Sequence, residues 1–127
     1  MRMLVISSLL LVSIIVLWAL FYNNSIVDTV DYSNEELNKL AELLNENNFE
    51  EAKLCVANIK NNWENVEKVW IYFVHQGEID NIKAQINTIE IYVQNQESTF
   101  ALVEIEDFKK LLNMVKGSEC LSLENIF

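Results

Sequence analysis

AKLCVANIKNNWENVEKVWIYF, residues 52–73, places apolar side chains at Ala52, Cys55, Val56, Ile59, Trp63, Val66, Trp70 and Phe73, mostly in steps of three and four. That is the period of one face of an α-helix, and a run of this length predicts a long amphipathic helix with its stripe turned toward a core. Asn48 and Glu51 stand in front of it in the arrangement of a capping box, so the helix is expected to begin next to Asn48. Gly77 is the obvious residue for a left-handed C-cap, which puts the expected end near His75.

The same period extends in both directions. Upstream, Leu37, Leu40, Ala41 and Leu44 form a short apolar face. Ser33 with Glu36 offers a second capping box, Tyr32 with Leu37 a hydrophobic staple, and Asn45 to Asn48 a polar break. Downstream, Ile79, Ile82, Ile86, Ile89 and Val93 predict a third helix, whose positive end suits Glu78 and Asp80. After a break at Gln94 to Ser98, with Ser98 as a cap, Ala101, Ile105, Phe108, Leu112 and Val115 predict a fourth. Lys116 falls in its last turn, Gly117 just past it, and the tail from Ser118 to Phe127 is expected to pack back onto the helices. Proline is absent and only two glycines occur, so the chain lacks the residues that interrupt helices. The fold class is therefore all-α, a small antiparallel four-helix domain made of two helical hairpins.

Those hairpins share a register. A shift of forty-nine residues carries Leu37 onto Ile86, Leu40 onto Ile89, Leu44 onto Val93, Ala52 onto Ala101, Val56 onto Ile105, Ile59 onto Phe108 and Trp63 onto Leu112. Two repeats of one hairpin would give that pattern. So would coincidence between two amphipathic hairpins, because any two stripes of period 3.6 match in part.

At the N-terminus, MLVISSLLLVSIIVLWALFY, residues 3–22, has no charge. About twenty residues at about 1.5 Å each cover the roughly 30 Å hydrocarbon layer of a bilayer. The run is too long for the apolar region of a cleaved signal peptide, and Phe21, Tyr22, Asn23 and Asn24 stand where small residues would be needed for cleavage. Arg2 precedes the span, whereas Asp28 and Asp31 follow it with no lysine before Lys39, which directs the N-terminus to the cytoplasm. The expected organisation is a cytoplasmic N-terminus and transmembrane anchor at 1–22, a juxtamembrane linker at 23–32, and a helical extracytoplasmic domain at 33–127. The expected location is the cytoplasmic membrane.

Beyond Arg2 the chain holds eight lysines against nineteen acids, within a formal net charge of −10. Phosphate recognition needs clustered Lys and Arg, and Lys109-Lys110 is the only basic doublet, so nucleic acid is excluded as an expected partner. No glycine-rich phosphate loop, zinc-ligand spacing or activated nucleophile is present, so no enzymatic activity, catalytic residue or cofactor is expected. His75, Glu78 and Asp80 are the one local group resembling a metal or acid–base site. One histidine with two carboxylates is an incomplete ligand set, and the competing reading makes His75 a cap and the acids partners of a helix dipole. Trp63 and Trp70, one heptad apart, read as core. Trp70, Tyr72 and Phe73 spread around their helix and are the candidates for an exposed aromatic contact with a partner. Cys55 lies on the apolar face, and either a free thiol there or a disulfide with Cys120 is compatible with the spacing.

Trp63, Trp70, His75, Glu78-Ile79-Asp80 and the ending Leu121-Ser122-Leu123-Glu124-Asn125-Ile126-Phe127, behind one N-terminal anchor, resemble the bacterial family of membrane-anchored proteins called domain of unknown function 4363. The resemblance spans essentially the whole chain and implies the architecture, without any activity, cofactor or catalytic residue. The functional expectation is a non-enzymatic interaction or scaffold module serving a membrane or envelope protein. The rival is a module binding a ligand or a divalent cation through acidic residues near His75.

Overall fold

The computed structural model describes residues 1–72 and 74–126, with the backbone alone described at 22, 23 and 118–126. Four helices follow one another: α1 Arg2–Asn45, α2 Phe49–Trp70, α3 Gln76–Gln94 and α4 Ser98–Ile126. Among the described residues there is no strand. Each helix packs on the next and α4 packs on α1, so the four form a closed antiparallel ring around one core.

The core stripes explain this packing. Buried residues recur at Ile26, Val30, Ser33, Leu37, Leu40 and Leu44 on α1, and at Ile79, Ile82, Ile86, Ile89 and Val93 on α3. The steps alternate between three and four, the heptad rhythm that lets nearly parallel helices interdigitate. On α2 the matching stripe is Ala52, Val56, Ile59, Trp63 and Trp70, and on α4 it is Ala101, Ile105, Phe108, Leu112 and Val115. Counting equal distances from the α1–α2 turn at residues 46–48 brings Leu40 level with Leu54 and Ile26 with Lys68. The Trp63 and Trp70 rings meet edge to face, 5.4 Å between centroids, and fill the half of the core farther from that turn.

The helix expected to begin at Ser33 does not begin there. Ser33 is buried in the interior of α1, a single helix of 44 residues that passes without interruption through the segment expected to be a linker. Two facts account for this. Residues 23–32 contain neither Gly nor Pro, and Ile26 and Val30, both fully buried, extend the heptad stripe of Leu37 and Leu40 back toward the apolar segment. Packing of those two side chains outweighs the local capping signal at Ser33 and Glu36.

Three other boundaries differ from the sequence reading. Helix α2 stops at Trp70, with Ile71 as its C-cap, because the core stripe steps from Trp70 to Val74, which is 5% exposed and closes the end of the bundle. Gly77 lies in the first turn of α3 and has no positive φ; extended backbone at His75 (φ −54°, ψ 134°) reverses the chain instead. Gly117 lies inside α4, which continues to Ile126, so the backbone of the expected tail prolongs that helix. The Asn48 cap is as expected, with its side-chain oxygen accepting from the Glu51 N–H at 3.4 Å. Helix α4 starts at Ser98, leaving Glu97 rather than Ser98 at the position before it.

Candidate functional site

The bundle leaves two apolar regions outside its core. The larger is the first half of α1. Every large apolar side chain described from Met3 to Phe21 is exposed, including Leu9, Ile14, Leu17 and Trp18, all around the helix. A helix apolar on every side has no favourable state in water unless something covers it, and this one is long and apolar enough to cross a membrane. The Ser7 hydroxyl donates to the Leu4 carbonyl at 3.0 Å, which satisfies it within the helix.

The second region is the connection from α2 to α3. Trp70 is fully buried and belongs to the core, which removes it from the aromatic surface expected from the sequence. Its place on the buried stripe of α2, two helical turns after Trp63, turns it inward. Tyr72 is 77% exposed and Ile71 and Val69 are exposed beside it, whereas Phe73 lies outside the described residues. Ile71 and Val69, missed by the sequence reading, extend the patch. Their signal was present as a run of nine residues, Val69 to Gly77, without a charge.

His75, Glu78 and Asp80 do not converge. The imidazole is exposed and makes no capping bond, although the His75 carbonyl accepts from the Glu78 and Ile79 N–H groups at 3.0 and 3.2 Å. Asp80 accepts from the Gln76 amide at 3.0 Å, and one carboxylate oxygen of Glu78 is buried without a partner. Among the described residues no three His, Cys, Asp or Glu side chains gather as a metal would require.

Between α2 and α3 run two shallow grooves of about 290 and 240 Å³. Lys60 pairs with Glu90 at 3.2 Å in the first, where Lys53 also lines the wall, and Lys83 pairs with Glu67 in the second. The Glu67 partner is also what raises the Lys83 pKa. Cys55 is buried, and its thiol donates to the Glu36 carbonyl at 3.4 Å. Burial, helped by the neighbouring Glu36 carboxylate, pushes its pKa up to about 11, which makes it a poor nucleophile. The Cys120 side chain lies outside those described, and so does the question of its pairing with Cys55.

The profile of the family described as Domain of unknown function (DUF4363) matches residues 20–126. The chain belongs to this family. The match begins at the end of the exposed apolar segment and covers all of the bundle, so the family's shared unit includes the bundle portion of α1. No curated protein and no solved structure matches the chain.

Proposed function

We propose that this family member is a single-pass membrane protein in which α1 crosses the cytoplasmic membrane with its N-terminus inside, and that its bundle acts outside as a non-enzymatic interaction module for a membrane or envelope protein. One observation carries the reading: a single unbroken helix is exposed and apolar on all sides from Met3 to Phe21 and supplies core side chains from Ile26 onward. A helix crossing the bilayer has its backbone hydrogen bonds satisfied internally, so the anchor and the first bundle helix can be one rod. Arg2 before the apolar segment and Asp28 and Asp31 after it support the orientation. Exposed apolar side chains on the bundle, among them Ile91, Phe100, Val103 and Met114, support binding to a protein partner.

Labelling with a membrane-impermeant maleimide tests the topology. In a Cys55→Ala, Cys120→Ser background, a cysteine at Glu50, which is exposed near the α1–α2 turn, should react on intact cells. Reaction only after lysis would reverse the orientation, and release of the protein by carbonate washing would remove the anchor. Crosslinking in native membranes then tests for the partner.

A further inference from the structure

We infer that the charge-free α2–α3 edge, with Val69, Ile71 and Tyr72 as its exposed contacts, lies in the lipid–water interface of the membrane that α1 crosses, so that the bundle stands upright and touches the bilayer along this edge. The inference rests on the proposed anchor and adds what the bundle does beside it.

The geometry comes from register. Helices α1 and α2 run antiparallel from their turn at residues 46–48, so that Ile26 is level with Lys68; Ile71 and Tyr72, just past the end of α2, therefore fall about level with positions 23 and 22. Those positions follow Phe21 by one or two residues, about 2–3 Å along a helix. The headgroup layer on each side of the hydrocarbon is about 5–7 Å thick, so both fall within it. No flexible linker intervenes, because α1 is continuous from the span into the bundle. Helix α4 arrives from the same side: Lys109 bonds Asn38 and Lys116 pairs with Asp31 seven residues further along each helix, a register that ends its backbone at Ile126 level with Phe21.

Charge marks the same boundary. On α1 no charge occurs from Met3 to Val27, and the first is Asp28. On α2 the last charge is Lys68, within two residues of the level of Asp28, and none follows until Glu78. The two helices thus lose their charges within one helical turn of the same height, in a chain of nineteen acids. An edge that is neutral, apolar and aromatic is suited to the interface, where tyrosine favours the boundary between lipid and water. Glu78 and Asp80 at the start of α3 bound the charge-free run and confine the contact to the α2–α3 edge. The contact is therefore apolar and independent of anionic lipid.

The test uses the full chain in protein-free phosphatidylcholine vesicles, in the Cys55→Ala, Cys120→Ser background. A fluorophore is attached at one of four single cysteines, Leu10→Cys, Ile71→Cys, Tyr72→Cys or Glu50→Cys, and quenched by nitroxide on the lipid near the headgroup or on the acyl chain. The Ile71 and Tyr72 labels should lose most of their fluorescence to the headgroup nitroxide, the Leu10 label to the acyl-chain nitroxide, and the Glu50 label to neither. The result should be unchanged when phosphatidylglycerol is added. Quenching at Leu10 with none at Ile71 or Tyr72 overturns the edge contact alone and leaves the anchor; it is also what an edge reserved for a protein partner would give. Absence of quenching at Leu10 overturns the anchor and the edge contact together.

Discussion

The two helical hairpins, α1–α2 and α3–α4, have the same turn and different outsides. In the first, the Asn47 N–H donates to the Leu44 carbonyl at 3.1 Å and the Asn48 N–H to the Leu43 carbonyl at 2.9 Å. In the second, forty-nine residues on, Gln96 donates to Val93 at 3.1 Å and Glu97 to Tyr92 at 2.9 Å. Asn47 and Gln96 take the same left-handed conformation, φ 57° and 58°, and Ala52 and Ala101 are both fully buried one helical turn further on. The matching register is thus a matching structure, down to the hydrogen bonds. Outside, Glu42 and Glu51 of the first hairpin are replaced by exposed Ile91 and Phe100 in the second, where Phe100 stacks on Tyr92 at 5.5 Å. Backbone closure and core filling constrain the inner positions equally in both, whereas the outer positions are free to diverge, with Tyr32, Leu54 and Val69 exposed on the bundle part of the first and Ile91, Phe100, Val103 and Met114 on the second.

The largest test of that equivalence is Trp63 against Leu112, which occupy corresponding buried places. Trp63→Ala should cost about 3–5 kcal/mol, because it also removes the edge contact with Trp70, and Leu112→Ala about 2–5 kcal/mol. Urea unfolding of the full chain in detergent should give the lower midpoint for the Trp63 variant. Equal midpoints would mean that the tryptophan pair adds nothing beyond an ordinary core position.

The turns sharpen the comparison next. Asparagine adopts the left-handed region at less cost than glutamine, so Gln96→Gly should stabilise by about 0.5–1 kcal/mol while Asn47→Gly should change little. Thermal melting of the two variants decides it. A larger gain at Asn47 would show that the turns are strained differently despite their shared hydrogen bonds.

At the position where the first hairpin has Cys55 bonded to Glu36, the second has Glu104 accepting from Gln85, the residues that correspond to them. Only the first of these titrates as a thiol. Its folded pKa, about 11, lies above the ordinary 9.0, so the folded chain keeps this proton while the unfolded chain loses it. Stability from this site is therefore complete below about pH 9 and falls as pH rises toward 11. Alkylation of Cys55 at pH 8 should be slow until denaturant is added; fast reaction in the folded protein would refute its burial.

The smallest effect is expected at the α2–α3 connection that joins the hairpins. His75→Ala should change stability by less than about 0.5 kcal/mol, since the imidazole is exposed and caps nothing. A loss of more than 1 kcal/mol in the same urea series would assign His75 a structural contact.

Read alone, the sequence determined the all-α class, the helical stripes from Leu37 to Val115, the Asn48 cap, the charge-free apolar segment and the family. Each is a local signal, set by periodicity, by one side chain bonding its own backbone or by composition, and needs no knowledge of the neighbours. Only the tertiary structure decided that Ser33 lies inside a helix, that Trp70 faces inward and Tyr72 outward, that Gly77 and Gly117 are helical, and that Asn47 and Gln96 hold equivalent left-handed turns. Those outcomes depend on which side chains find partners across the ring: Ile26 and Val30 keep α1 helical past a capping signal because α2 and α4 cover them, and Val74 draws the chain away from α2 because the core is filled at that level by Trp70.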